Sequence, residues 1–271
     1  MTPQDLCLWI SLIGIVSSFA CYVTAFSKEK RVLIKCGNFL AVVSLLVQII
    51  SLILIFKSKS QIAISNLSEF ILTVSITLLT VAVISNSIKN AAILPFAATI
   101  TVMLNLLIVL ILNQSSSQLT NLTNMNIHIA LFLVSFPLLE ASFTLGILYL
   151  FVQNLLKQKK QLWILEFVPS LEFVSSINYM AALSGFLFFT AGIITGYLYA
   201  RSIYSSSAAG WRLDPKIIIS TITWFCYLIM CLLGLFSILK GRIFAIASVA
   251  AFLLIILTIF TNILPASFHK F

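Results

Sequence analysis

Long apolar segments separated by short polar breaks recur along the whole chain. Each segment is close to the roughly 20 residues that a helix needs to cross the hydrocarbon core of a bilayer. In chain order the predicted membrane spans are about 5–26, 36–56, 63–86, 92–112, 128–156, 178–200, 217–239 and 243–264. Because a helix satisfies its own backbone hydrogen bonds in lipid, the pattern predicts an all-α, polytopic membrane helix bundle with about eight transmembrane helices.

The composition agrees with a chain whose main solvent is lipid. Of 271 residues, 61% are hydrophobic and 8% are charged, a charged share too low for the wetted surface of a soluble domain. The formal net charge of +9 comes from scattered loop residues without a basic stripe. We therefore expect the lipid bilayer as a partner and no nucleic acid.

The cysteines give no sign of thiol redox chemistry. Five are present, within or at the ends of apolar segments and without a C-x-x-C pair: Cys7, Cys21, Cys36, Cys226 and Cys231. We interpret them as small buried hydrophobic residues.

The lysines and arginines of the connecting segments predict the orientation. With the amino terminus outside, ten of the sixteen basic residues lie on the inner side: Lys28, Lys30, Arg31, Lys35, Lys89, Lys157, Lys159, Lys160, Lys240 and Arg242. Eight spans then place the carboxyl terminus outside as well. The longest connections are the polar stretch 113–127, the basic amphipathic stretch 157–177 and the loop 201–216.

The two histidines of the chain fall on one side of the membrane in this topology. His128 stands at the outer end of the fifth span, and His269 follows the eighth span. Two imidazoles at one membrane face suit the axial coordination of a single iron porphyrin. Ordinary interfacial histidines without a ligand are the alternative interpretation.

A series of short motifs occupies the second half of the chain. They are Pro169-Ser170-Leu171-Glu172, Gly192-Ile193-Ile194-Thr195-Gly196, Trp211-Arg212-Leu213-Asp214-Pro215-Lys216, Ile222-Thr223-Trp224 followed by Tyr227, Asn262-Ile263-Leu264 and Phe268-His269-Lys270-Phe271. An upstream motif, Ser65-Asn66-Leu67-Ser68-Glu69-Phe70, enters the third span. Their order resembles the CcsA/ResC/CcmC cytochrome c assembly family from about residue 63 to 271. The chain would then comprise N-terminal transmembrane helices 1 and 2 over residues 1–62 and a CcsA-like domain over residues 63–271.

The resemblance implies a heme-handling membrane protein of cytochrome c biogenesis. Such a protein presents heme at the outer membrane face for attachment to apocytochrome c, beside a CcsB/ResB-type membrane partner. The implied location is the bacterial cytoplasmic (inner) membrane. A role as a subunit of a cytochrome c heme lyase stays open.

The resemblance also implies a set of heme-binding residues. His128 and His269 would hold the heme iron, and the other implied contacts are Trp211, Asp214, Lys216, Asn66 and Glu69. An indole suits stacking on a porphyrin face, and an ammonium group suits pairing with a propionate. As an alternative, Asp214 caps the helix that follows it, and Asn66 with Glu69 orients an outer loop.

Two departures from the family point to a divergent branch. Leu213 stands where the family has another tryptophan, and Leu232 replaces the family's transmembrane histidine. A HemX-like or YpjD-like protein on the same scaffold, regulatory or structural and without heme transfer, is therefore the alternative. Whether heme crosses the membrane through this chain stays open.

Two features inside the spans have other interpretations. Gly192 and Gly196 form a G-x-x-x-G pair, which predicts close helix packing. Glu140 lies deep in the fifth span, where an ionisable residue marks a path or a paired site. If the protein is instead a small-molecule transporter, Glu140 is the expected coupling residue.

Overall fold

The fold is known from a computed structural model that describes residues 2–59, 66–89, 91–112, 123–158, 162–203 and 215–260. Its helices are α1 (Pro3–Lys28), α2 (Arg31–Lys59), α3 (Leu67–Lys89), α4 (Ile93–Leu112), α5 (Thr123–Gln158), α6 (Leu162–Leu165), α7 (Leu171–Ile203), α8 (Pro215–Leu235) and α9 (Gly241–Phe260). Eight of these, all but the short α6, are long and apolar enough to cross a membrane. The predicted all-α, multi-pass membrane architecture is confirmed.

Several helix ends differ from the predicted spans by four or more residues, and the start of α7 and the end of α8 each have a local cause. Helix α7 begins at Leu171, whereas the apolar pattern placed the start of this span near residue 178. Its first turn contains Glu172, and a carboxylate is favourable at the positive end of a helix. Polar residues therefore open this helix instead of preceding it.

Helix α8 ends earlier than predicted, at Leu235, although the apolar sequence continues. The chain turns at Ser237, whose φ of 63° is left-handed. The Ser237 N–H donates to the Gly234 carbonyl at 3.0 Å, and the Ile238 N–H donates to the Leu233 carbonyl at 2.9 Å. This pair of bonds is the Schellman arrangement, which satisfies the last carbonyls of the helix.

The chain divides into two compact units. The first unit contains Met1–Ser116 and Phe151–Leu171, and the second contains Ser117–Leu150 and Glu172–Phe271. The boundary between residues 62 and 63 that the sequence suggested stays a prediction.

Small residues bring the helices of the first unit together. The Ser18 hydroxyl of α1 donates to the carbonyl of Gly37 in α2 at 2.8 Å. A Cβ at Gly37 would lie 3.1 Å from the ring of Tyr22, so glycine lets α2 approach this ring closely. The rings of Tyr22 and Phe26 pack on Phe96 of α4, with centroids 5.9 and 5.3 Å away. Helix α1 is thereby fixed to both α2 and α4.

The segment after α5 packs against the turn between α1 and α2. The ring of Trp163 in α6 lies 6.3 Å from that of Phe26. Arg31 donates to the Glu166 carboxylate at 2.8 Å and stands 5.9 Å above the ring of Phe167. Both partners of the ion pair are exposed, so the aromatic contacts contribute more to this docking than the charges do.

In the second unit, α5 and α7 are joined by buried polar contacts at regular intervals. The Ser135 hydroxyl donates to the Gly185 carbonyl at 2.9 Å, and the Ser142 hydroxyl donates to Asn178 Oδ1 at 2.6 Å. Both partners shift by seven residues in opposite directions, which is the heptad repeat of antiparallel helices packed at a shallow angle. Asn178 Nδ2 also donates to Ser248 of α9 at 3.4 Å.

We predict that Ser237→Gly stabilises the protein. A residue with a Cβ is strained in the left-handed conformation by about 1–2 kcal/mol, and glycine is not. The apparent unfolding temperature in detergent should therefore rise, whereas Ser237→Ala, which keeps the Cβ, should show no such rise. An equal response of both variants would contradict the left-handed turn.

Candidate functional site

His128 is held against α7 by one of its ring nitrogens. It lies near the amino-terminal end of α5, half-buried, with Nδ1 2.8 Å from the Gly192 carbonyl oxygen. The ring of Phe132, one turn further along α5, meets the imidazole edge to face at 4.7 Å. The imidazole is therefore fixed on two sides.

The contact of His128 belongs to the same series of polar contacts between α5 and α7. We call this series the polar ladder and each of its contacts a rung. The three rungs pair residue 128 with 192, 135 with 185 and 142 with 178, so each step moves seven residues along both helices. The two inner rungs set the register of the helices. The register of α5 against α7 therefore determines where His128 lies along α7.

The I-T-W motif of α8 packs beside the same region of α7. The Trp224 indole Nε1 donates to the Thr190 hydroxyl at 2.9 Å, two residues before Gly192. Phe189, on the same turn of α7, lies 5.5 Å from Phe132. The G-I-I-T-G motif, the I-T-W motif and His128 therefore converge on one stretch of α7.

Two of the other predicted heme contacts lie in the first unit, at the start of α3. The Asn66 carbonyl accepts the Phe70 N–H at 3.1 Å, which begins the helix. Glu69 is in the first turn and is only 2% exposed, a position where the helix dipole stabilises a carboxylate. A contact of Asn66 or Glu69 with heme stays a prediction.

The remaining predicted contacts can be placed only in part. The backbone of Lys216 is in the first turn of α8. Trp211, Asp214 and His269 lie outside the described residues. The pairing of His128 with His269 about one iron therefore stays a prediction as well.

The structure corrects the expectation that all five cysteines are buried. Cys231 is buried as expected, but Cys36 is exposed and the other three cysteines are intermediate. An apolar sequence does not imply burial here, because the side of a helix that faces lipid is apolar too.

Glu140 is only 3% exposed, and its role stays untested. Leu232 is 44% exposed.

A single anchored imidazole such as His128 is compatible with an iron porphyrin. Among the described residues, no group of three His, Cys, Asp or Glu side chains is placed to hold a metal ion. A porphyrin brings its own ring nitrogens to the iron, so one or two axial side chains from the protein suffice. An imidazole anchored through Nδ1 fits that requirement.

Sequence reasoning identified His128 but not the residues that hold it. Gly192 and Gly196 were interpreted as a helix-packing pair, and they do pack closely, against Phe132 and His128 respectively. Trp224 and Thr190 were not expected to bond. The sequence shows that these motifs lie close together along α7 and α8. It does not show which way they face, because a helix that is apolar on all sides has no marked face.

Fold and site together define a multi-pass membrane protein with an anchored histidine near one end of its second unit. The sequence pattern of the family described as Cytochrome C assembly protein matches residues 37–269. The chain belongs to this family, and the resemblance seen in its motifs is confirmed. One relative is Protein HemX of Bacillus subtilis (strain 168), 28% identical over 149 residues, which are 54% of this chain and 51% of HemX. The chain thus matches about half the length of that relative.

We predict that Trp224 and Thr190 are energetically coupled. Trp224→Phe and Thr190→Val each remove the hydrogen bond between α8 and α7, so the double variant should lose less stability than the sum of the two singles. The expected coupling is about 0.5–1.5 kcal/mol, measured by reversible unfolding in mixed detergent. As a control, Trp224→Phe combined with Ser184→Ala should be additive, because the Ser184 hydroxyl bonds only within its own helix.

Proposed function

We propose that this protein binds heme with His128 as an axial ligand and presents it at the outer membrane face for attachment to apocytochrome c. Membership of the cytochrome c assembly family supports a role in cytochrome c biogenesis. The observation that carries the finer proposal is the anchoring of His128 Nδ1 on the Gly192 carbonyl. This hydrogen bond orients the ring as second-shell partners orient metal-ligating histidines.

The chain itself would bind and orient the reactants. When bound, heme supplies the iron and the vinyl carbons that the thiols of an apocytochrome attack. His128 and His269 would hold the heme iron, Trp211 would stack on the macrocycle, and Lys216 would pair with a propionate. Asp214, Asn66 and Glu69 complete the proposed set. Positioning of this kind needs no nucleophile from the protein.

The proposed location is the bacterial cytoplasmic membrane, with both termini outside. The distribution of lysine and arginine supports this orientation, which places His128 and His269 on the outer side. There the chain would act with a CcsB/ResB-type membrane partner. Such a partner would supply aromatic surface that this chain lacks at Leu213 and upstream of it.

A second candidate function is a regulatory or structural role on the same scaffold without heme transfer. The likeness to Protein HemX over 149 residues favours this candidate. Leu232, in place of the family's transmembrane histidine, fits either candidate, because neither requires heme to cross the bilayer through this chain.

Heme content tests the first candidate directly. Protein purified in mild detergent from heme-replete cells should show a low-spin spectrum of the bis-histidine type in its oxidised and reduced forms. The spectrum should be lost in the double variant His128→Ala, His269→Ala, because both axial donors are gone.

A control substitution away from the two histidines tests whether loss of the spectrum is specific to them. Trp9→Phe changes an exposed side chain of the first unit and should leave the spectrum unchanged. Colourless wild-type protein, or a double variant that retains the same low-spin heme, would contradict the proposal. Colourless protein would favour the second candidate.

The orientation gives a separate prediction, tested in a variant whose five cysteines are replaced by serine. A cysteine introduced at Ser116 should react with a membrane-impermeant maleimide in intact cells. A cysteine at Lys159 should react only after the cells are permeabilised. The reverse pattern would place His128 on the inner side and contradict outer-face presentation.

A further inference from the structure

The geometry points to Gly192 and Gly196 as a cradle that holds the His128 ring in a single tautomer, with the proton on Nδ1 and the lone pair on Nε2. The tautomer is a property of the protein alone. The use of this orientation for an iron ligand rests on the proposed function.

The tautomer follows from the chemistry of the hydrogen bond. A backbone carbonyl only accepts, so the 2.8 Å contact between His128 Nδ1 and the Gly192 oxygen requires the proton on Nδ1. In a neutral imidazole the lone pair is then on Nε2, which is the nitrogen that would coordinate a metal. The Thr195 hydroxyl donates to the same carbonyl at 2.9 Å, so this oxygen is engaged from two sides.

Gly196 provides the space for the ring. A Cβ at this position would overlap His128 Cε1 and would stand 2.8 Å from Nδ1 and 3.3 Å from Nε2. At Gly192 a Cβ would lie 3.1 Å from the ring of Phe132, which packs edge to face on the imidazole. Since the ring is rigid and bounded on both sides, a larger residue at 196 must displace it.

The other rungs of the ladder show that Gly196 serves the imidazole specifically. Where Ser135 meets Gly185, the residue four positions further along α7 is Phe189, and where Ser142 meets Asn178 it is Ala182. Only the rung of His128 has a glycine there. The hydrogen bonds of Ser135 and Ser142 already hold the two helices in register. Packing alone therefore requires neither a glycine at 196 nor a ring nitrogen at 128.

The first test is nuclear magnetic resonance of the heme-free protein labelled with ¹⁵N-histidine. The chain has two histidines, so in the variant His269→Ala every imidazole signal comes from His128. At a pH about two units above the ordinary imidazole pKa of roughly 6.5, we expect a protonated Nδ1 and an unprotonated Nε2. A protonated Nε2, or an exchange-averaged mixture, would overturn the cradle whether or not any glycine variant folds.

The second test compares two glycine variants in the same labelled background. Gly196→Ala should convert the single tautomer to a mixture. Gly234→Ala is the matched control, because its Cβ would meet the Tyr179 side chain at 2.7 Å, and neither residue takes part in the three contacts between α5 and α7. A single Nδ1–H tautomer preserved in Gly196→Ala would overturn the role of Gly196.

Heme binding by the chain with both histidines distinguishes failure of the cradle from failure of the proposed function. Hemin titration should show affinity reduced about 10- to 100-fold in Gly196→Ala, the usual effect of losing a second-shell contact, and unchanged in Gly234→Ala. Equal affinity in both variants would overturn the use of the cradle for the ligand. A single Nδ1–H tautomer in a protein that binds no heme would support the cradle and contradict the proposed function.

Discussion

A buried polar side chain within a bilayer is costly unless it finds a partner in the protein, because lipid offers none. In the second unit that requirement is met between α5 and α7 by contacts at residues 128, 135 and 142 with residues 192, 185 and 178. Each transmembrane hydrogen bond contributes only about 0.6 kcal/mol on average. Their main effect is to fix the register of α5 against α7, since sliding either helix by one residue separates all three pairs at once.

The rest of the unit is attached to this helix pair. Asn178 connects the ladder to Ser248 of α9, and Thr190 connects α7 to Trp224 of α8. A Cβ at Gly146 would lie 2.5 Å from the Ser248 hydroxyl, so α5 also approaches α9 closely. The position of His128 therefore depends on contacts distributed over four helices, and Gly192, Gly196 and Phe132 are among the residues in direct contact with the ring.

The sequence predicted the number and class of the helices because length and hydropathy are sufficient for both. It could not predict the start of α7 at Leu171 or the end of α8 at Leu235, which depend on Glu172 in the first turn and on the turn at Ser237. Nor could it show that Gly196 faces His128. Helices that are apolar on all sides have no marked face, so their rotation is set by small residues and polar pairs that only the packed structure brings together.

Leu232 stands at the position where the family has a transmembrane histidine. The position is 44% exposed, while the adjacent Cys231 is buried with Tyr227 in the apolar interior of the unit. The His128 ring contacts Phe132 in α5 and Gly192 and Gly196 in α7, whereas Leu232 is in α8. A leucine at 232 is therefore compatible with the contacts that hold the His128 ring. The anchored histidine near one end of the second unit is in this way structurally separate from the position at which the chain departs from the family.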